Sequence, residues 1–250
     1  MATQPIFQFY AELDDYKPKI WRRFQVANGI TVARLGYILM TLFEMRASHL
    51  FCFDVPSCEN FRAHMLEKFP PEQFDRFFSD MKPEYERVHL QIIDEDLPYY
   101  PEEGEIVRDA TKQRLKNVLE YPNERLAFWY DFGDDWRLSL VLEEVIRDKS
   151  LPGTELPRVL EGEGFGIIED CGGVYGLEQL AKAFKKKKGA AYDQFREWLG
   201  VDDLDLNAFD LDDMNFRLKK IPRIYMQAYE QDLTPTQRSI DLIERRYLKI

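Results

Sequence analysis

The chain has 250 residues, 45% of them apolar and 14% aromatic, which is too apolar for a disordered protein and long enough to bury a substantial core. Its formal net charge of −11 repels a phosphate backbone over most of the surface, so nucleic-acid binding is disfavoured and would need a local basic patch. The opening MATQPIFQFY has no basic region followed by an apolar run, and no segment is long enough to cross a bilayer, so a cytoplasmic protein without membrane attachment is expected.

Phe7, Phe9, Ala11 and Leu13 alternate with polar residues, the pattern of a half-buried strand. After the turn-like DDYKPK, IWRRFQV gives a second strand with Ile20, Phe24 and Val26 on one face. Arg22 falls on that apolar face, where it must pair with a carboxylate, reach a sheet edge or hold a ligand. Thr31 opens a helix in which Val32, Leu35, Ile38, Leu39, Leu42 and Phe43 keep the 3.6-residue period. A third strand is expected at 49–55, and this order suggests a curved mixed or antiparallel sheet with a helix packed across it, a β-grasp-like arrangement.

Residues 58–81 have a helical pattern broken at Pro70 and Pro71, with Phe61, Met65 and Phe69 before the break and Phe74, Phe77 and Phe78 after it. This reads as a helical insertion at about 58–85. RVHLQII at 87–93 adds a strand, and DEDLPYYPEEGE is an acidic loop carrying Tyr99 and Tyr100.

FWYDFGDDW, residues 128–136, places five aromatic residues and three aspartates in nine positions. A hairpin with the three-residue loop Gly133, Asp134 and Asp135 pairs Phe132 with Trp136 and Tyr130 with Leu138, and puts eight apolar residues on one face. That register sets Asp131 opposite Arg137 as a cross-strand ion pair.

Beyond Pro152 the pattern changes, so residues 1–150 are expected to form the sheet domain, and 151–250 a glycine-rich loop and helices packed on it. PRVLEGEGFGIIEDCGGVYG, 157–176, holds six glycines, which implies special backbone angles or close approach of another chain segment. Helices are expected near 177–187, 191–199 and 210–220, and a last one from the capping-box sequence TPTQ, Thr234 to Gln237, with Ile240, Ile243 and Tyr247 on its apolar face. Lys185, Lys186, Lys187 and Lys188 fall in the last turn of the first of these helices, where cations complement the helix dipole.

PKIWRRFQV, SHLFCF, YDFGDDW and PRVLEGEGFGIIEDCGGVYGLEQL occur in the order found in the plasmid pRiA4b open-reading-frame-three family, which the chain resembles from about residue 6 to 220. YDQFREWLG followed by FDLDDMNFRL is similar to that family's C-terminal helices. The resemblance implies an α+β domain with a helical C-terminal part, of bacterial, mobile-element origin, with the last thirty residues an extension. It implies no agreed activity. The transposon-resolvase label borne by some members does not carry over, because no arginine cluster surrounds a serine near the N-terminus. Members often read His-x-His where this chain has His49, Leu50 and Phe51, a histidine near Leu138, and a cysteine with two prolines around Phe165 to Ile168. A family site built on those residues would be largely lost here.

Two functions follow as expectations. One is a non-enzymatic interaction module for a protein partner, using the glycine-rich loop, the hairpin tip, Tyr99 and Tyr100, with Trp21, Arg22, Arg23 and the lysine run as further candidate contacts. The other is a hydrolase of nucleic acid or nucleotide, using Mg²⁺ or Mn²⁺ held by Asp131, Asp134, Asp135, Glu161, Glu163, Glu169, Asp170 and His49. Without that metal no cofactor is expected, since no phosphate-loop or dinucleotide fingerprint is present. Cys52, Cys58 and Cys171 form no CxxC pair or zinc spacing and are expected to be reduced thiols without a catalytic role.

Overall fold

In the computed structural model, which describes residues 4–70, 73, 74, 78, 83–94, 96, 98–147, 151 and 153–246, the alternating IFQFYAEL forms strand β1 (Ile6–Leu13). It pairs antiparallel with β2 (Trp21–Ala27) on one side and β7 (Trp136–Ile146) on the other. The sheet continues through β3 (Phe51–Val55), β4 (Arg87–Gln91), β5 (Glu105–Asp109), β6 (Arg125–Tyr130) and β8 (Arg158–Glu163). Its eight strands run in the order β5-β4-β3-β6-β7-β1-β2-β8, with β4 and β5 the one parallel pair among the named strands. The β6–β7 hairpin separates β3 from β1. The strand order therefore supports an α+β protein with an open mixed sheet and C-terminal helices, and does not support the narrower β-grasp arrangement.

Thr31 caps α1 (Val32–Leu42) by accepting a hydrogen bond from the Arg34 N–H at 3.2 Å. Every residue of this helix except Arg34 is buried, because one side meets the sheet and another meets the C-terminal helices α5 (Leu211–Leu218) and α6 (Ile221–Gln231). Gly36 lets the Phe51 ring come so close that a Cβ there would lie 2.7 Å from it. Each fully buried Leu, Ile or Phe on such a helix contributes roughly 1.5–3 kcal/mol, which explains why a helix with no charged cap is stable here.

The hairpin register differs from expectation by two residues. Tyr130 pairs with Trp136, Phe128 with Leu138 and Leu126 with Leu140, which leaves Asp131 to Asp135 as the loop. Asp131 and Asp135 both adopt left-handed backbone (φ 55° and 54°), a conformation that Asp tolerates better than most residues, so a longer loop closes. A shift of two keeps every side chain on its expected face. The exception is Phe132, which leaves the core and is 56% exposed. Arg137 stands opposite Trp129, not Asp131; its guanidinium lies 4.1 Å from the indole and bonds Asp135 at 3.0 and 2.7 Å.

Arg22 is fully buried, yet no carboxylate among the described residues bonds it, and β2 is an interior strand. Its guanidinium donates to five carbonyl oxygens: Leu42 (3.0 Å), Trp21 (2.8 Å), Glu163 (2.7 Å), Gly164 (2.7 Å) and Phe165 (2.8 Å). Burial pulls its pKa down to about 9, so it stays protonated at neutral pH. The glycine-rich segment therefore begins as edge strand β8 laid on β2. At Gly162 a Cβ would come within 2.7 Å of the Trp21 carbonyl oxygen and the Arg22 side chain.

The insertion begins with α2 (Ser57–Lys68), whose Asn60 exchanges two 2.9 Å hydrogen bonds with the Arg125 backbone. Pro71, Phe77 and most of the second expected helix lie outside the described residues, as do Pro152 and Tyr247. The helices α3 (Gly173–Lys186) and α4 (Ala190–Leu199) lie close to their expected positions. The last helix, α7 (Gln237–Ile243), is capped by Thr236 and not Thr234, and α6 was not foreseen. No helix among the described residues is long and apolar enough to cross a membrane.

Candidate metal centre

Three segments meet where the hairpin loop faces the turn before α3: residues 46–50 after α1, the β6 end with its loop, and Glu169–Asp170. His49 Nε2 lies 3.4 Å from an Asp131 carboxylate oxygen and 3.5 Å from one of Asp170. One ligand atom from each of the three residues falls within 4.8 Å of the others. Nε2 is buried and has no hydrogen-bond partner among the described residues.

The residue preceding each of these three side chains belongs to one hydrogen-bond network. The Glu169 carboxylate accepts from the Arg46 N–H (2.7 Å), the Ser48 hydroxyl (2.7 Å) and the Tyr130 hydroxyl. Tyr130 in turn accepts from the Ser48 N–H at 3.1 Å. Ser48, Tyr130 and Glu169 thus fix His49, Asp131 and Asp170 through the backbone. Burial and the neighbouring Glu169 carboxylate hold the Tyr130 hydroxyl well above its ordinary pKa, so it remains a donor.

Asp131 uses its two oxygens differently. Oδ1 accepts from the N–H groups of Gly133 (3.1 Å) and Asp134 (3.4 Å), which closes the loop, while Oδ2 faces His49. Its own N–H donates to the Leu50 carbonyl at 3.0 Å, tying the loop to the His49 segment. Gly173 permits the close approach of this loop to α3: its φ is 67°, and a Cβ there would lie 2.5 Å from the Asp134 carbonyl oxygen. From the C-terminal side, Tyr225 donates to the Met45 carbonyl at 2.6 Å, and Tyr229 donates to the His49 carbonyl.

The other acidic candidates are held elsewhere. Asp134 caps the Gly172 N–H at 3.2 Å, and Asp135 pairs with Arg137. Glu161 pairs with Arg23, whose guanidinium also bonds Glu143 at 2.6 and 2.8 Å, and Glu163 accepts from the Trp21 indole at 3.2 Å. These last contacts are cross-strand pairs between β2 and β8 on the outer face. Glu169 lies beside the cluster as its hydrogen-bond hub.

Tyr99 stacks on His89 at 4.1 Å and donates to Glu105, while Tyr100 is 81% exposed. Lys185 and Lys186 occupy the last turn of α3, Lys187 pairs with Asp203 at 2.6 Å, and all four lysines are exposed. Cys171 neighbours the centre, but burial and the Asp134 and Asp170 carboxylates push its thiol up to about 12, far from a reactive thiolate at neutral pH.

A second group, Asp54, His89 and Glu105, also brings ligand atoms within 4.8 Å of one another. Here every member is bonded. His89 Nδ1 meets Asp54 at 2.8 Å and Nε2 meets Gln91 at 3.3 Å, while Glu105 accepts from Arg87 (2.9 Å), Tyr99 (3.0 Å) and the Glu102 N–H (3.0 Å). Sequence reasoning missed this group because it arises from the β3–β4–β5 register, and β5 was not foreseen.

The family model described as plasmid pRiA4b ORF-3-like protein matches residues 5–215. The chain belongs to this family. The match ends before α6, so Tyr225 and Tyr229 lie beyond it. A crystal structure of MM3350, a protein of unknown function from Methanosarcina mazei Go1, is similar, with TM-score 0.61 and 22% identity over 84% of this chain and 98% of that one. At that identity the likeness speaks for the fold alone. No curated protein matches the chain.

Proposed function

We propose that this family member is a divalent-metal-dependent hydrolase of phosphate esters, with His49, Asp131 and Asp170 as the metal ligands. The supporting observation is the spacing around His49 Nε2. At 3.4 and 3.5 Å from two carboxylate oxygens it is too far for a good hydrogen bond, yet ligands about 2.0–2.1 Å from one ion on a tetrahedron stand about 3.4 Å apart. Two carboxylates facing each other across a buried, unbonded imidazole nitrogen repel, and a cation relieves that repulsion. One imidazole with two carboxylates is a mixed nitrogen and oxygen set, which suits Mn²⁺ or Zn²⁺ better than Mg²⁺.

A cation there would polarise a phosphoryl oxygen and lower the pKa of a bound water. The chain's own part is to hold the three side chains through Ser48, Tyr130 and Glu169, and to leave one side open, since the Asp170 side chain is 71% exposed. The test is calorimetric titration with Mn²⁺ and Zn²⁺, alongside hydrolysis of p-nitrophenyl phosphate, in the wild type, His49→Ala, Asp131→Asn and Asp134→Asn. Binding and turnover lost in the first two variants and retained in Asp134→Asn support the reading. Equal binding in all four, or none in the wild type, would sink it.

A second reading, a protein-interaction module, has in its favour the exposed Ile93 (53%) and Tyr100 (81%) on the loop that leads to edge strand β5. It predicts that Tyr100→Ser changes self-association in sedimentation while leaving metal binding unchanged. Sedimentation identical to the wild type at high concentration would count against self-association through this surface.

A further inference from the structure

A cleft of about 670 Å³ adjoins the candidate centre, and Asp170, which faces His49, forms part of its wall. Two features of the cleft have no role in holding a cation. Arg46 is exposed there, and among the described residues its guanidinium has no hydrogen-bond or ion-pair partner. The other two arginines of the wall are engaged: Arg245 with Glu44 and Asp213, and Arg246 with Glu244 and Asp241. Trp198, at the end of α4, lines the same cleft and is 47% exposed, although an indole of that size normally buries more of its surface.

We propose that the cleft binds a nucleoside monophosphate, with the phosphate between Arg46 and the cation at His49, Asp131 and Asp170, and the base stacked on Trp198. The proposal rests on the metal-centre reading and names its substrate class. An unpaired guanidinium beside a cation site is a phosphate receptor, since Arg bonds phosphate oxygens in a bidentate fashion. An exposed indole in the wall of the same cleft offers a face that any base can stack on without sequence preference. The volume lies within the usual range for small-ligand sites. A net charge of −11 argues for a small ligand, because one local arginine and one cation can hold a single phosphate while the global field repels a polyanion.

The experiment measures binding of AMP, ribose 5-phosphate and Mn²⁺ separately by calorimetry, the two phosphates with Mn²⁺ present, in the wild type, Trp198→Leu, Arg46→Gln and His49→Ala. The wild type should bind AMP about tenfold or more tighter than ribose 5-phosphate, the increment that one stacked base supplies. Trp198→Leu should lower AMP to the ribose 5-phosphate level and leave ribose 5-phosphate and Mn²⁺ unchanged. Arg46→Gln should weaken both phosphates by about tenfold with Mn²⁺ binding intact. Equal binding of the two phosphates by the wild type, or an AMP preference that survives Trp198→Leu, would overturn the proposal. If Mn²⁺ binds in a His49-dependent way but AMP does not bind, the substrate class is wrong and the metal centre stands. Absence of Mn²⁺ binding overturns both.

Discussion

Replacing Tyr229 with phenylalanine removes one oxygen atom and little else, so it isolates what the C-terminal helix α6 does for the candidate centre. The ring is held independently of its hydroxyl, stacked on Tyr37 at 5.6 Å and edge-on to Phe51 at 5.3 Å. The hydroxyl donates to the His49 carbonyl, and burial with the nearby Glu169 carboxylate raises its pKa well above the ordinary value, so it donates throughout any neutral-pH assay. Losing one buried hydrogen bond costs about 0.5–1.5 kcal/mol in stability, readable as a shift in the urea midpoint at constant slope. The effect on Mn²⁺ affinity should be disproportionate: groups that orient metal ligands typically cost about 10–100-fold when removed. The assay pairs urea unfolding of the metal-free protein with calorimetric Mn²⁺ titration. A stability loss of the expected size with Mn²⁺ affinity unchanged would refute the reasoning, and would leave α6 as a covering helix with no hold on His49.

Three further outcomes are expected. Arg22→Lys offers three donors where five carbonyls are bonded, so at least two lose their partner; a destabilisation of about 2–4 kcal/mol by urea unfolding is expected, and a loss below about 1 kcal/mol would mean the carbonyls are satisfied without Arg22. Cys171, with its thiol raised to about 12, is mostly protonated at neutral pH, so its iodoacetamide rate, read by mass spectrometry, should rise about tenfold per pH unit well past the point where a free thiol levels off; a plateau below about pH 10 would refute this. His89→Gln should destabilise the sheet by about 1–3 kcal/mol, through loss of the Asp54 bond, and leave Mn²⁺ stoichiometry and affinity as in the wild type. Loss of Mn²⁺ binding in that variant would move the metal centre to the sheet.

Legibility in the sequence followed the strength of the periodic signal. β1 and α1 stand out because alternation or 3.6-residue spacing runs through each without interruption, and β2 because Ile20, Phe24 and Val26 keep the alternation around Arg22. β5 and β8 did not, because Gly162 in β8 and Glu105, Arg108 and Asp109 in β5 break the apolar pattern of these edge strands. The hairpin faces were legible and its register was not, since a two-residue shift preserves the faces and the decision rests on whether Asp131 takes left-handed backbone. His49, Asp131 and Asp170 were among the eight acidic and histidine candidates, but their convergence depends on how three separate segments fold together. Arg46 carried no periodic or motif signal, and Trp198 lies in YDQFREWLG, which spoke for a helix and a family resemblance and not for an exposed indole. Tyr229 lies in a helix whose start is marked by Pro222 in the first turn, a signal that sequence reasoning passed over.

The two histidine–carboxylate groups differ in how completely their hydrogen bonding is satisfied. Asp54, His89 and Glu105 project from neighbouring strands, where ladder register brings them together without unusual backbone, and Arg87 and Tyr99 complete their hydrogen bonding. The other group is assembled less economically. Asp131 and Asp170 both hold left-handed backbone, with φ of 55° and 60°, a conformation that is unfavourable for residues with a side chain even though Asp tolerates it better than most. A loop cap needs only one carboxylate oxygen, and Asp131 supplies that with Oδ1; its Oδ2 lies 3.4 Å from His49 Nε2, a buried atom with no hydrogen-bond partner among the described residues. Ser48, Tyr130 and Glu169 hold that arrangement through one hydrogen-bond network. Left-handed backbone alone does not mark this group, since Asp15, Asp135 and Asp232 adopt it as well; what separates it from the His89 group is an imidazole nitrogen whose hydrogen bonding is left open among the described residues.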